Sequence, residues 1–313
     1  MRGPDHENRL LREIAAHVLP GSGWPAVEPA ESGFSTPVYR IARGGTTFYL
    51  RLAEGPEASL APEVLAHDLL CARGVRVPEV VHFEPFHPHL QRSVMVTTAI
   101  PGRSLAADSQ GIDVGPVLAA AGRDLAAINS VDVAGFGFIR RDQPRAPRLE
   151  AESPTVRAFA LGDVEEHLAT LAAFLAPDEI QAICTTVTYG DAWLDADRAT
   201  LAHGDLDATH IYHQDGRYTG IIDFGEIRGA DPLYDLGHFA LHDGETVPSR
   251  VLPHLLAGYG EVVPLPPDHA LRIRFWSLLI GVRALARSAN RPRAAYHNYL
   301  THAIRQTLAA LAA

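Results

Sequence analysis

One stretch of the chain, residues 203–225, brings carboxylates and imidazoles close together in sequence. Asp205 and Asp223 lie towards its two ends, and His203 and His210 accompany the first of them. Transfer of the γ-phosphoryl group of a nucleotide needs a divalent metal to neutralise phosphate oxygens and a carboxylate to orient and deprotonate the attacking hydroxyl. These residue types therefore suit metal-assisted phosphoryl transfer.

The residues between the two aspartates predict a short β-hairpin. A strand begins at Ile211, a turn with positive φ angles is expected over residues 214–216, and a strand rich in Thr, Tyr and Ile returns over residues 217–222. Because a hairpin brings its outer ends together, we expect His210 to lie near Asp223. The aspartate on the preceding loop then points into the same pocket.

Each of these side chains has a predicted role. Asp205 is the general base, Asp223 is the principal metal ligand, His210 is a second metal ligand, and His203 braces the loop. The alternative is a polar surface hairpin with scattered His and Asp residues.

Three segments resemble the motifs of the aminoglycoside phosphotransferase family: His203-Gly-Asp205, Ile222-Asp-Phe-Gly225 and Gly229-Ala-Asp-Pro-Leu-Tyr-Asp-Leu236. The resemblance implies a two-lobed, protein-kinase-like α+β fold. A small β-rich N-lobe over residues 1–98 would bind the nucleotide. A larger, mostly helical C-lobe over residues 99–313 would carry the catalytic loop, the metal and the acceptor site. Mg²⁺ and either ATP or GTP are the implied cofactor and co-substrate.

The family's usual Asn five residues after the catalytic Asp is His210 in this chain. In having His at this position, the chain resembles some members of the aminoglycoside 2″- and macrolide 2′-phosphotransferase groups. An imidazole is a poorer match than a carboxamide oxygen for the hard Mg²⁺ ion. The resemblance also implies that Asp235 braces the active-site loops, whereas a helix cap is the alternative.

The same resemblance predicts the nucleotide contacts. Arg51 occupies the place of the kinase strand lysine that holds phosphates, and Glu63, in a helix predicted over residues 57–73, is its partner. An ordinary surface pair is the alternative. The other expected contacts are the phosphate-covering loop, Ser32, Gly33, Phe34 and Ser35, and the hinge, Thr97, Thr98, Ala99 and Ile100.

Composition limits the classes of partner. The chain has 313 residues, a net charge of −10 and no lysine, since all 27 basic residues are arginine. This acidity argues against binding to nucleic acid or to an anionic membrane and suits a cationic partner, although acidity more often serves solubility. Together with the predicted transfer to a hydroxyl, it gives a small, polar, cationic, hydroxyl-bearing molecule as the expected substrate. Cys71 and Cys184 form no recognisable motif, and the start of the chain lacks a signal peptide, so a reduced, cytoplasmic protein is expected. We expect a monomer or a weak homodimer.

Beyond the hinge, the chain is predicted to be mainly helical. Apolar residues at helical spacing indicate helices over residues 114–129, 154–174, 178–189, 250–259, 268–289 and 294–311. A Pro- and Arg-rich loop is expected over residues 134–150. Acidic residues in the helical part could receive an amine-rich substrate or form a solvated face: Asp163, Glu165, Glu166, Asp243 and Glu245.

The sequence thus predicts a kinase that phosphorylates a hydroxyl of a small antibiotic, an aminoglycoside first and a macrolide next. A metabolic kinase of an amino alcohol, sugar or homoserine-like compound would share every motif. A nucleotide-binding pseudoenzyme and a metal-dependent hydrolase are the further alternatives.

Overall fold

The computed structural model of the protein describes residues 4–30, 36–247 and 250–312. The chain forms two compact units. The first contains the described residues up to Pro101 together with Arg140–Leu149 and Gly220–Gly225, and the second contains the rest. Strands dominate the first unit and helices the second, so the predicted mixture of a β-rich amino-terminal part and a helical carboxy-terminal part is confirmed.

The first unit is built on an antiparallel sheet with the strand order β1-β2-β3-β5-β4. Its elements are α1 (Pro4–Val18), β1 (Ala26–Pro29), β2 (Val38–Arg43), β3 (Thr46–Leu52), α2 (Ala61–Cys71), β4 (Val80–His87) and β5 (Arg92–Thr98). In β3, alternation sends Phe48, Leu50 and Leu52 into the core with residues of α1. Arg51 therefore lies on the opposite face of this strand.

The second unit contains two small sheets and most of the helices. Its elements are β6 (Arg103–Ser104), α3 (Val114–Ile128), β7 (Asp132–Val133), β8 (Phe136–Ile139), β9 (Ala151–Ser153), α4 (Val156–Leu161), α5 (Val164–Leu171), α6 (Pro177–Tyr189), β10 (Ala199–Ala202), β11 (Ile211–Gln214), β12 (Arg217–Ile221, which ends in the first unit), β13 (Arg228–Ala230), α7 (Tyr234–His242), α8 (Leu252–Val262), α9 (His269–Ser288) and α10 (Ala294–Ala312). One sheet has the order β7-β10-β13-β8-β9 and the other β12-β11-β6.

The predicted hairpin is confirmed as β11 and β12. Asp215 and Gly216 form its turn with φ angles of 51° and 74°, the positive values that a two-residue hairpin turn requires. Within the described ranges, no helix is both long enough and apolar enough to cross a bilayer.

Two predictions about the chain beyond the hinge were wrong in detail. The helix predicted over residues 154–174 is two helices, α4 and α5, because Gly162 ends the first and Asp163 begins the second. The loop predicted from residue 134 instead begins with strand β8, which pairs with β13. Its continuation, Arg140–Leu149, belongs to the first unit.

Candidate active site

In the first unit, strand β3, helix α2 and the segment after β12 bring Arg51, Glu63 and Asp223 together. The Arg51 guanidinium contacts Glu63 Oε2 at 2.7 Å through Nη1 and Asp223 Oδ1 at 2.8 Å through Nη2. Glu63 is fully buried, whereas the Asp223 side chain is 41% exposed. Burial opposes charge on Arg51, but the two carboxylates outweigh it and raise the pKa of the guanidinium. Arg51 is therefore a fixed cation with one exposed carboxylate beside it.

Arg141 is a further member of this cluster that sequence reasoning missed. Its Nη2 lies 2.8 Å from Glu63 Oε1, an ion pair without hydrogen-bond geometry, and donates its hydrogen bond to the Gly225 carbonyl oxygen. The buried Glu63 carboxylate thus lies between two guanidiniums. Nothing local in the Pro- and Arg-rich segment singles out Arg141, since Arg140 precedes it and the pairing depends on the tertiary structure.

Asp223 has a backbone conformation that is uncommon for its residue type. Its φ is +65°, a left-handed value that non-glycine residues adopt rarely and often at functional sites. The next two residues hold it there: Phe224 packs against the His67 ring at 5.1 Å, and the Gly225 N–H donates to Asp223 Oδ1. A Cβ at Gly225 would lie 2.7 Å from Arg51 Nη2, so a larger residue does not fit without displacing the guanidinium. A partly exposed carboxylate oxygen is a suitable ligand for Mg²⁺.

The other predicted nucleotide contacts have different outcomes. Thr97 is buried in β5, and the Thr98 N–H donates to the Glu79 carbonyl oxygen at 2.9 Å, so this N–H is not available to a nucleotide base. Ala99 and Ile100 follow the end of β5 and stay predictions. Residues Ser32, Gly33, Phe34 and Ser35 lie outside the described residues.

In the second unit, Asp235 of α7 holds the loop that contains Asp205. Its carboxylate accepts hydrogen bonds from the backbone N–H groups of His203 at 2.9 Å and Gly204 at 2.8 Å, and from the Asn129 side chain at 3.1 Å. Gly204 has a φ of +88°, and a Cβ there would meet a carbonyl oxygen at 2.0 Å. The Asp205 N–H donates in turn to His203 Nδ1 at 3.3 Å. The predicted bracing by Asp235 and His203 therefore has a geometric basis.

The partner of Asp205 is His238, which sequence reasoning did not single out. His238 Nε2 lies 3.1 Å from Asp205 Oδ1, and its Nδ1 lies 3.0 Å from the Leu206 carbonyl oxygen. Both oxygens act as acceptors towards the ring, so the arrangement favours hydrogen on both nitrogens, that is, an imidazolium. Burial opposes this charge, but the hydrogen bond and charge of Asp205 raise the pKa of His238. Burial raises the pKa of the Asp205 carboxyl, but the hydrogen bond and charge of His238 outweigh it and lower that pKa. Asp205 is therefore ionised at neutral pH.

His210 does not have the contacts of an evident metal ligand. Its Nδ1 lies 2.7 Å from the Asp205 carbonyl oxygen, to which it donates, and its ring lies 5.4 Å from that of His203. Among the described residues, no group of three or more His, Cys, Asp or Glu side chains is arranged to hold a metal ion. Asp223 fits a magnesium ligand by its chemistry, whereas His210 offers only a ring nitrogen. Its predicted role at a second metal site and its predicted proximity to Asp223 stay predictions.

Asp205 also lines a cavity of about 360 Å³ within the second unit. The charged residues of its wall are Asp205, Asp207, Arg228, His238, Glu245, Arg283, Arg287 and Arg293. The Asp205 side chain is 47% exposed, so its carboxylate is accessible to a ligand. The volume is at the lower end of the range of about 300–1,000 Å³ that is usual for small-molecule sites.

The acidic residues that could receive an amine-rich substrate have other contacts. Asp243 accepts the backbone N–H groups of Val251 and Leu252 at 2.7 and 3.1 Å, so it caps the start of α8. Glu245 lines the cavity but pairs with His242 at 2.6 Å. Asp163 begins α5 at its amino end, outside the residues that line the cavity.

Comparisons with known proteins show which proteins share this fold. Solved structures similar to the chain include an aminoglycoside phosphotransferase APH(4)-Ia mutant in ternary complex with AMP-PNP and hygromycin B. It is 15% identical, with a TM-score of 0.69, over 96% of this chain and 98% of that one. A putative fructosamine-3-kinase from Thermobifida fusca is 21% identical with a TM-score of 0.64, covering 95% and 99% of the two chains. Macrolide 2′-phosphotransferase MphH from Brachybacterium faecium is 20% identical with a TM-score of 0.59, covering 96% and 98%.

At these identities the similarity establishes the kinase-like fold alone. A search of curated proteins finds no match to the sequence. The family model that is described as the APH phosphotransferase enzyme family matches residues 26–276. Since this match covers most of the chain, the protein belongs to the APH family of phosphotransferases.

Proposed function

We propose that the protein transfers the γ-phosphoryl group of ATP or GTP to a hydroxyl group of a small polar molecule. The observation that carries this proposal is the ionised, accessible Asp205 carboxylate on the wall of a cavity large enough for a small acceptor. The similar structure with AMP-PNP and hygromycin B, a nucleotide analogue and an aminoglycoside, supports the same class of reaction.

Asp205 would orient the acceptor hydroxyl and take its proton. The acceptor oxygen forms a bond to the γ-phosphorus, the bond from this phosphorus to the β–γ bridging oxygen breaks, and the nucleoside diphosphate leaves. In the loose transition state that most analyses favour, the proton moves late, so a carboxylate with a lowered pKa is basic enough. His238 keeps that carboxylate ionised and oriented.

Arg51, Glu63, Asp223 and Arg141, here called the first-unit cluster, would bind the nucleotide phosphates. Arg51 keeps its charge and pairs with one oxygen of Glu63, whose other oxygen contacts Arg141. Asp223 would hold Mg²⁺, which supplies neutralisation of the phosphate charge when bound. The structure supports Arg51 and Asp223 in these roles better than it supports His210.

The experiment is nucleotide-dependent phosphorylation with Mg²⁺ across aminoglycosides, macrolides, sugars and hydroxy acids. ADP or GDP release is measured together with the mass of the acceptor. We expect a phosphorylated acceptor and a loss of roughly 10²–10⁴-fold in kcat for Asp205→Asn. Asp215→Asn, the same change at an exposed turn residue, should retain wild-type turnover.

Two outcomes would contradict the proposal. Release of inorganic phosphate without any modified acceptor would indicate a hydrolase. Stabilisation by nucleotide without turnover on any acceptor would indicate a pseudoenzyme.

A further inference from the structure

The wall of the cavity beside Asp205 carries more guanidinium than carboxylate. Arg228, Arg283, Arg287 and Arg293 line it together with only three acidic residues. This local charge is opposite in sign to the net charge of −10 of the whole chain. Cationic acceptors such as aminoglycosides would have to approach this wall against repulsion.

The acidic residues of the wall already have partners. Asp205 pairs with His238, and Glu245 pairs with His242. Asp207 accepts a hydrogen bond from the Thr209 N–H at 2.7 Å. These contacts are made with histidines and with the backbone; among the described residues, none of the three carboxylates forms an ion pair with Arg283 or Arg287.

Two of the arginines, Arg283 and Arg287, lie one turn apart on α9. Arg283 donates through Nη2 to the Phe159 carbonyl oxygen at 2.6 Å and stacks on the Phe159 ring at 4.6 Å. Arg287 is exposed and lies 5.7 Å from the Phe138 ring. In the part of the chain that the structure describes, neither forms an ion pair with Asp or Glu. By contrast, Arg228 is satisfied by Glu226 and Tyr234.

The three guanidiniums also oppose one another's charge. Arg228 stacks on the same Phe138 ring as Arg287, at 4.4 Å. Burial first, and then the charges of Arg228 and Arg287, lower the pKa of Arg283, although Tyr234 and Asp163 act in the opposite direction. A concentration of like charge on one wall is stabilised by a bound anion. Arginine is the side chain best suited to carboxylate and phosphate, which its planar fork can grip with two parallel hydrogen bonds.

We propose that the acceptor of this enzyme is a small hydroxyl compound that carries an oxyanion, a carboxylate or a phosphate, and that Arg283 and Arg287 bind this group while Asp205 faces the hydroxyl. This inference rests on the proposed kinase function. It replaces the cationic antibiotic with an anionic acceptor, such as a sugar acid or a sugar phosphate.

The first test compares acceptors with one carbon skeleton and different charge: gluconate, glucose 6-phosphate, glucitol and glucosamine. With MgATP and MgGTP, we expect kcat/KM for at least one anionic member to exceed that of glucitol and glucosamine by tenfold or more. Preference for gluconate would identify a carboxylate site, and preference for glucose 6-phosphate a phosphate site. A preference for glucosamine or for aminoglycosides would overturn the inference and leave the proposed kinase function intact.

The second test changes the arginines. Arg287→Gln should raise KM for the anionic acceptor on the order of 10- to 100-fold, the worth of one hydrogen bond between charged groups. Arg287→Lys retains the charge without the planar fork, so its KM should lie between that of the wild type and that of Arg287→Gln. Arg291→Gln removes the same charge from an exposed position outside the cavity and should leave KM unchanged. Equal KM values for Arg287→Gln and wild type would overturn the assignment. Arg283→Gln provides the second variant, its folding checked by circular dichroism.

The third test does not depend on turnover. Calorimetry of gluconate and glucose 6-phosphate with the wild type, Arg287→Gln and Arg291→Gln measures the site directly. Binding that Arg287→Gln weakens and Arg291→Gln preserves would support the oxyanion site even if phosphoryl transfer failed. Absence of anion binding together with absence of anion turnover would overturn it.

Discussion

The residue whose change tests the first-unit cluster most directly is Glu63. It is fully buried, and its two carboxylate oxygens contact Arg51 at 2.7 Å and Arg141 at 2.8 Å. In Glu63→Gln, the side-chain oxygen can face only one guanidinium, and the amide N–H₂ then faces the other, donor against donor. The variant removes the charge that compensates two arginines that are 13% and 23% exposed.

The expected loss follows from this geometry. Removing one partner of a buried ion pair costs about 3–5 kcal/mol. Because Arg51 keeps its contact with Asp223, we expect Glu63→Gln to lower the free energy of unfolding by about 3 kcal/mol, the lower end of that range. Arg141→Gln leaves Glu63 paired with Arg51, so its cost should be smaller, about 1–2 kcal/mol.

Urea denaturation of the full chain measures these differences, and Glu57→Gln, the same change at an exposed position, should stay within about 0.5 kcal/mol of wild type. The double variant Glu63→Gln/Arg141→Gln should cost less than the sum of the two single variants, since Glu63→Gln already removes the ion pair that Arg141→Gln breaks. KM for the nucleotide should rise in Glu63→Gln. A Glu63→Gln protein as stable as wild type, or one less affected than Arg141→Gln, would refute the reasoning.

Three further changes test the second unit. His238→Gln removes the imidazolium that lowers the pKa of Asp205. Asp205 should then be protonated at a higher pH, so the acidic limb of the pH profile of kcat should move to higher pH; a profile that stays in place would contradict the pairing. Gly258→Ala would put a Cβ 1.8 Å from a backbone oxygen of α3 and should lower the free energy of unfolding by about 3 kcal/mol. In Gly260→Ala the Cβ would meet its nearest neighbour only at 3.9 Å, so this variant should raise the free energy of unfolding by up to about 1 kcal/mol. Equal urea midpoints for Gly258→Ala and Gly260→Ala would be inconsistent with close helix packing. Asp235→Asn loses a carboxylate that accepts two backbone N–H groups, so it should lower the free energy of unfolding by about 3 kcal/mol and remove most of the turnover. An active, equally stable variant would show that the loop needs no such brace.

The sequence predicted the hairpin and the long helices, because each depends on interactions among residues that are close in sequence. The hairpin followed from its turn residues, Asp215 and Gly216, and from the strand formers on either side, all of which act over a few residues. The helices over residues 114–129 and 268–289 followed from apolar spacing and match α3 and α9 within one or two residues. The break at Gly162 was missed because the apolar pattern continues across it, although glycine disfavours a helix interior.

The small sheet of the second unit was not predictable in the same way. Strands β7, β9 and β13 have two or three residues each, too few for a periodic pattern to appear. They are strands because β10 and β8 lie beside them, and such pairing is a property of the tertiary structure. For the same reason, Arg140–Leu149 could not be assigned to the first unit from the sequence.

The sequence by itself determined the order of the family's motifs, the hairpin and the Arg51–Glu63 pair. The hairpin depends on turn chemistry and strand alternation, which act over a few residues, and the pair follows from the family's order of elements. Only the tertiary structure decided which groups surround them. His238 reaches Asp205, Arg141 reaches Glu63, and Arg283 and Arg287 line the cavity through contacts between segments that are distant in sequence. The charge of the acceptor is the clearest case. A net charge of −10 is a sum over the whole chain, whereas a bound ligand interacts mainly with charges within a few ångströms, since solvent and salt screen the rest.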